Sequence, residues 1–301
     1  MAAEADSNNI IRFTFTGEEN IPEEATHIFV DAAFIPAEAF EEHPNIIELI
    51  CSDRVETIER EAFYKCPVLR RVIMRGVKEV EVEAFYGCEA LTDVECDKLE
   101  TIKEGAFLVT SLRKINLPSA RVLEEYAFGH CETLTDVKFS RELERFERNV
   151  FSYCRSLQRI TVPLKDGMFP YINTFLDCVA LKRVDLIEGA LRETIAALQL
   201  KEWRNDMNRE IDSINQILPY ARSGYKNNEF DYDYGEKVLT IRTWIRSILR
   251  KIIHYKAAHQ RILDEAAATL QPVLPRDIVT NNILSFLALP SHTFGGEDEE
   301  I

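Results

Sequence analysis

The stretch Glu124–Phe139, EEYAFGHCETLTDVKF, decides the fold because it returns along the chain. It stands at Glu61–Met74 as EAFYKCPVLRRVIM and at Glu83–Cys96 as EAFYGCEALTDVEC. The anchoring phenylalanines are Phe40, Phe63, Phe85, Phe107, Phe128, Phe151 and Phe175, spaced by 23, 22, 22, 21, 23 and 24 residues. Six residues after the Phe comes Ile46, Leu69, Leu91, Leu134, Leu157 or Leu181. Nine after it comes Leu49, Val72, Val94, Val137, Ile160 or Val184. The Phe107 unit is one residue short, so Leu112, Ile115 and Leu117 fill their slots one place early. Five residues before most anchors sits Ile35, Ile58, Val80, Ile102, Leu123 or Phe146.

A fixed period of about 20–29 residues with apolar slots signals a solenoid. The Leu-x-x-Val-x-apolar part reads as a short strand, and Ile-x-x-x-Ala-Phe reads as a turn or loop that buries its Phe. Such a unit cannot bury its own apolar face, so stacking must do it. Each unit then gives one strand to a parallel sheet, with neighbours about 4.8 Å apart.

The recurring Ala-Phe-x-x-Cys-x-x-Leu-x-x-Val unit resembles the BspA-type leucine-rich repeat over roughly residues 25–187. The resemblance implies a right-handed, leucine-rich-repeat-like solenoid used for protein contact. Many bacterial members are secreted or surface-bound. Here MAAEADSNNI has neither a basic nor an apolar leader region. The expected location is therefore intracellular, cytoplasmic or nuclear, and the layout is similar to that of algal repeat proteins with a helical tail. The expected organisation is a solenoid over 1–188, a helical domain over 189–290 and an acidic tail over 291–301.

Net charge is −15, which argues against a broad nucleic-acid-binding surface and against anionic membranes. Residues 1–60 carry fourteen Asp or Glu against Arg12, Arg54 and Arg60. This front reads as a solvated acidic face, the sharper alternative being a dock for a basic partner. The seven cysteines sit in repeat slots. Cys66, Cys88, Cys131, Cys154 and Cys178 lie three after a Phe, and Cys51 and Cys96 lie eleven after one. They read as buried reduced thiols that pack as small hydrophobes. No Cys-x-x-Cys pair supports a zinc site.

Side chains alternate along a strand, so the residue before the Val slot points outward. That row reads Glu48, Arg71, Asp93, Lys114, Asp136, Arg159, Arg183. Opposite charges on adjacent strands stabilise by roughly 0.2–1 kcal/mol per pair, so the row fixes register by pairing with itself. The other outward row is Ile50, Ile73, Glu95, Asn116, Lys138, Thr161, Asp185, in which Ile50 and Ile73 are candidate partner contacts. At the N-terminal end, residues 10–16 read as a strand and 26–36 as an atypical first unit. The last repeat is irregular, with Gly167 and Pro170 in slots that are usually apolar.

After about Gly189 the period becomes helical. Apolar residues from Leu191 to Leu218 define one amphipathic helix, ended by Pro219. ARSGYKNNEFDYDYGE reads as a loop. Val238, Ile241, Ile245, Ile248, Ile252, Tyr255, His259 and Ile262 then form a heptad seam. It reads as half of an antiparallel helical hairpin in a monomer, a homodimer through helix 237–265 being the alternative. Arg242, Arg246 and Arg250, four apart, are candidate partner contacts; pairing with Glu188, Glu193, Glu202, Asp206 and Glu210 is the intramolecular reading.

LPRDIVTNNILSFLALP, residues 274–290, reads as a short capped helix with Ile278, Ile283, Phe286 and Leu287 on one face. It also resembles the opening of an F-box, whose first helix often begins Leu-Pro-x-Asp/Glu. Two further helices of that domain have no room before GGEDEEI. Phosphate-cradling, dinucleotide, zinc-protease and nucleophile-elbow motifs are absent from the sequence. Asp231-x-Asp233-x-Gly235 fails as a calcium loop, because Arg242 stands where a bidentate Glu is needed. The expected function is a protein-protein interaction scaffold without catalysis and without a cofactor. The alternatives are an adaptor using the terminal helix, and an enzyme with an unrecognised site between solenoid and helices.

Overall fold

The computed structural model describes residues 4–6, 10–17, 21–187, 189–222 and 235–291. Asp231, Asp233, Glu188 and the acidic tail from 292 onward lie outside the described residues. The repeats stack as a parallel solenoid of about seven turns, followed by helices. Each Leu-x-x-Val segment forms a strand: Glu48–Cys51, Arg71–Ile73, Asp93–Glu95, Lys114–Leu117, Asp136–Phe139, Arg159–Val162 and Arg183–Leu186. The apolar slots point inward and are buried, Leu186 of the last strand only partly.

The expectation of one strand per unit falls short. The apolar residue five before each Phe except Phe175 closes a second, two-residue strand. Phe34–Ile35, Thr57–Ile58, Glu79–Val80, Thr101–Ile102, Val122–Leu123 and Arg145–Phe146 make one continuous parallel sheet. Two residues are too short to show a period in sequence. Stacking nonetheless brings each extended pair beside its copy, and the backbone groups there must find partners.

The turn around each Phe carries a third ladder. The N–H groups of the residue two before Phe85, of Phe85 itself and of the residue two after it donate to Glu104, Ala106 and Leu108 of the next unit. Phe63 donates to Ala84, Phe107 to Ala127 and Phe128 to Val150 in the same way. The flanking positions are left-handed: Glu61, Glu83 and Tyr126 before the Phe, and Lys65, Val109, His130 and Tyr153 after it, all have φ between 51° and 61°. Left-handed residues at alternate places aim successive donors the same way.

Inside, the anchors form a column of offset rings. Phe40, Phe63, Phe85, Phe107 and Phe128 stack at 4.7, 5.2, 5.3 and 5.3 Å with planes within 8°. Phe151 and Phe175 continue it at 5.7 and 5.8 Å. Each ring is fully buried, a gain of roughly 1.5–3 kcal/mol, with about 0.5–1.5 kcal/mol more for each ring pair.

The short Phe107 unit leaves a fault. Other units turn after the cysteine slot, but Thr110–Ser111 lacks that turn. The long-strand sheet is interrupted there, ending at Asp93–Glu95 and resuming as a four-stranded sheet from Lys114–Leu117. The short-strand sheet runs through unbroken.

Both ends are covered. At the front, strand Ile10–Phe15 runs parallel to His27–Val30, and Glu4–Asp6 closes antiparallel on it. Phe15 meets Phe40 edge-on at 5.4 Å and ends the ring column. At the back, Met168 and Phe169 fill the core of the irregular last repeat in place of the apolar residues missing at Gly167 and Pro170.

Three helices then follow: α1 (Ala190–Ala197), α2 (Lys201–Ile217) and α3 (Glu236–Leu270). The expected single helix from 191 to 218 is broken at Leu198, whose backbone is extended. Arg204 closes the break by donating to the carbonyls of Leu198 and Gln199. The α3 seam packs on α2 and the last repeat, and the buried face is wider than a heptad stripe. Trp244, Leu249 and Leu263 join it, while Ile262 is exposed. An uncoiled helix drifts about 20° per heptad, which moves Ile262 off the seam and Leu263 onto it.

Asn215 and Lys237 are among the polar side chains that tie this cap to the solenoid. Asn215 Oδ1 accepts the Val184 N–H from the open edge of the last strand, at 3.0 Å. The buried Lys237 ammonium donates to the carbonyls of Leu181, on the last repeat, and Leu218, at the end of the helical pair. Burial lowers the pKa of Lys237 below the ordinary lysine value. The terminal segment forms a π turn at Ile278–Ile283 and a helical turn at Leu284–Leu287. The wider π turn shifts the packed face, so Val279 is buried and Ile278 exposed, the reverse of the expected face. The side chains of Ile283 and Phe286 lie outside the described residues.

Candidate functional site

The helical cap does more than close the stack. α1 and α2 overhang the outward face of the last three strands and leave a cleft of about 1290 Å³. Its floor is the outward rows of the sheet, Asp136, Lys138, Arg159, Thr161, Arg183 and Asp185. Its wall includes Arg192 on α1 and Lys201, Arg204, Asn208 and Asp212 on α2. Six lining residues are cationic and three are acidic, in a chain of net charge −15. Fields from like charges add within a walled cleft, so the site favours anions against the sign of the whole molecule.

Local folding sets the wall. α1 begins at Gly189, with φ 104° and ψ −107°, a conformation closed to residues with a Cβ. A Cβ there would meet the tip of the Arg141 side chain, two repeats earlier.

The floor is organised by one carboxylate. Arg159 and Arg183 lie directly opposite each other on adjacent strands. This is the one place where the outward charge row repeats a sign. Asp185 resolves it by accepting from Nε of Arg159 and from Nε of Arg183, the latter at 3.0 Å. Among the described residues, the terminal guanidinium nitrogens of both arginines have no partner.

At the front of the sheet the charge row pairs as expected. Arg71 reaches Glu48 at 3.5 Å, Asp93 at 3.4 Å and also Glu95 at 2.7 Å. Ile50 and Ile73 are neighbours in register, both half-buried, and the exposed Phe29 extends their row by one strand. Of the basic residues on α3, Arg242 donates to the Phe169 carbonyl and Arg246 chelates Asp166 at 3.0 and 3.2 Å. Both partners are on the irregular last repeat, not on α2. The α2 carboxylates Asp206 and Glu210 instead bind Lys251, at 2.7 and 3.1 Å. Hydrogen bonds from Lys251 and Tyr255 hold the Asp206 carboxyl below the usual range. Arg250 is exposed.

Sequence reading did not single out Lys138, Arg159, Arg183, Arg192 or Arg204 as a site. The signal present was the repeated sign at Arg159 and Arg183. It could mark a cleft only once the overhanging helices were placed.

The thiol slots are also more ordered than hydrophobic packing requires. Cys66, Cys88, Cys131, Cys154 and Cys178 each donate to the carbonyl of the previous unit's Phe, at 2.9–3.2 Å. In the short unit the hydroxyl of Thr110 takes the slot and donates to Phe107 at 3.0 Å. Burial pushes the Cys51 and Cys96 thiols up to about 12. Among the described residues no cluster of His, Cys, Asp and Glu could hold a metal ion, and no helix is long and apolar enough to cross a membrane.

The sequence model of the BspA type leucine rich repeat region, in 6 copies, matches residues 33–158 and 111–195. None of the curated proteins matches. Among solved structures, a leucine-rich repeat protein from Bacteroides ovatus is 21% identical with a TM-score of 0.44, over 57% of this chain and 49% of that one. A T. pallidum leucine rich repeat protein is 17% identical with a TM-score of 0.40, over 61% and 78%. The pneumococcal vaccine antigen PcpA is 13% identical with a TM-score of 0.27, over 60% and 73%. The matched part spans about half the length of the Bacteroides ovatus protein.

Proposed function

We propose, from the premise that this chain belongs to the BspA-type leucine-rich repeat family, that it is a non-catalytic scaffold whose cleft binds an acidic segment of a partner protein. Repeat proteins of this kind are scaffolds, commonly used for protein contact, and a solenoid offers a rigid surface for it. The observation that carries the finer reading is the concentration of cations in one walled cleft of a strongly acidic molecule. The lining contains no histidine, cysteine or serine, and its central carboxylate is engaged by two guanidinium groups. Such a set holds anions and offers no activated nucleophile. Ile50, Ile73 and the exposed Arg250 stay as secondary candidate contacts outside the cleft.

Calorimetric titration with a glutamate-rich peptide tests this. Binding is expected at low salt and should weaken as salt shortens the screening length, to about 8 Å at physiological ionic strength. The double variant Arg159→Gln/Arg183→Gln should melt like the parent and lose the binding. Absence of binding by the parent, or equal binding by the double variant, would refute the assignment.

A further inference from the structure

We propose that the anion taken by the cleft is a phosphorylated side chain, clasped between Arg159 and Arg183. This rests on the anion-binding reading above and narrows it. The two arginines face each other across one strand spacing and are anchored by the same carboxylate through their Nε groups. Each guanidinium has five N–H donors in a planar fork, and among the described residues only the Nε–H is hydrogen-bonded. Two forks with free ends, fixed side by side, match a group with several terminal oxygens and close to two negative charges. A carboxylate has two oxygens and one charge, enough for one fork. Thr161 stands between Lys138 and Asp185 in the neighbouring outward row, so a hydroxyl from Thr161 and an ammonium from Lys138 lie beside the pair.

Asp185 acts as a positioning residue. Its charge opposes an incoming anion, so its value lies in holding two like-charged side chains together before the ligand arrives. Arginine suits this place better than lysine, because an ammonium is a point charge without a fork.

The experiment compares three probes on the full chain by calorimetry: a short peptide carrying one phosphoserine, the same peptide with glutamate in its place, and inorganic phosphate. The phosphoserine peptide should bind about tenfold more tightly than the glutamate peptide. Arg159→Lys keeps the charge, and should erase that preference while leaving the glutamate peptide bound. Asp185→Asn should also reduce the preference, although it removes a repelling charge. All three side chains lie on the solvent face of the sheet, and thermal melting checks that the variants fold.

If the glutamate peptide binds as well as the phosphoserine peptide, the phosphoryl assignment fails and the acidic-segment reading stands. If neither peptide binds, both fail. If inorganic phosphate alone binds as tightly as the phosphopeptide, the site takes a free anion and the side-chain assignment is overturned. If Arg159→Lys retains the preference, the fork argument is wrong.

Discussion

Val109 is a β-branched residue held at φ 59°, where its unit needs its N–H aimed at Gly129. The left-handed region costs an ordinary residue about 1–2 kcal/mol, and a β-branched one is its least suitable occupant. Asn tolerates that region, so Val109→Asn should stabilise the protein by about 1 kcal/mol, read as a rise in melting temperature. The cysteines set a pH limit. A thiol whose folded pKa is about 12, against an ordinary 9.0, favours the folded state while it stays protonated. That stability is whole below pH ~9 and is lost as pH rises towards ~12, because the unfolded chain releases the protons first. Lys237 works in the opposite sense. Its lowered pKa makes the fold gain stability as pH rises from that lowered value towards 10.5. With several buried thiols against one buried lysine, denaturant melts should show net loss above pH ~9; a flat profile up to pH ~11 would show that the thiols do not titrate as their burial requires.

Strands of three or four residues were legible because seven copies averaged the signal, and the Leu and Val slots recur even where single units deviate. The two-residue strands and the left-handed turns were not. Their regularity lies in backbone conformation, and Glu, Lys, Tyr, His, Val, Asn and Gly all occupy the same left-handed slots. The α3 seam was legible from Val238 to His259 and lost phase at Ile262, where drift of the straight helix outran the heptad. The site was the least legible part, since Arg159 and Arg204 are 45 positions apart and line one cleft only because α2 folds back over the sheet. That folding depends on α1 leaving the solenoid at one angle, which Gly189 sets. Gly189→Ala should cost about 1–3 kcal/mol through a forbidden φ, the flexible Arg141 guanidinium swinging aside, and should weaken peptide binding by moving the wall of the cleft. A variant with parental stability and parental affinity would show that α1 is not held from this residue.

For the whole molecule, the helices are part of the same core as the repeats. Met207, Ile214, Leu218, Val238, Ile241, Ile245 and Ile248 belong to one buried cluster with the last repeat. A chain cut before Gly189 would expose that surface together with the strand edge that Asn215 satisfies, and open edges recruit other chains. Light scattering should find the full chain monomeric and the truncated chain aggregated. A soluble monomeric fragment would mean that the last repeat is self-sufficient. The interrupted sheet gives the molecule a mechanical property as well. From the Phe40 unit to the Phe151 unit, adjacent repeats are otherwise laced by two sheets and a ladder of turns, but between Asp93–Glu95 and Lys114–Leu117 one of the three lacings is missing; the last repeat, which also lacks the short strand, is packed against the helices instead. A crystal yields at its dislocation, not through its perfect planes. Pulled from its two ends, this molecule should part at that seam first, the acidic front separating from the half that carries the cleft.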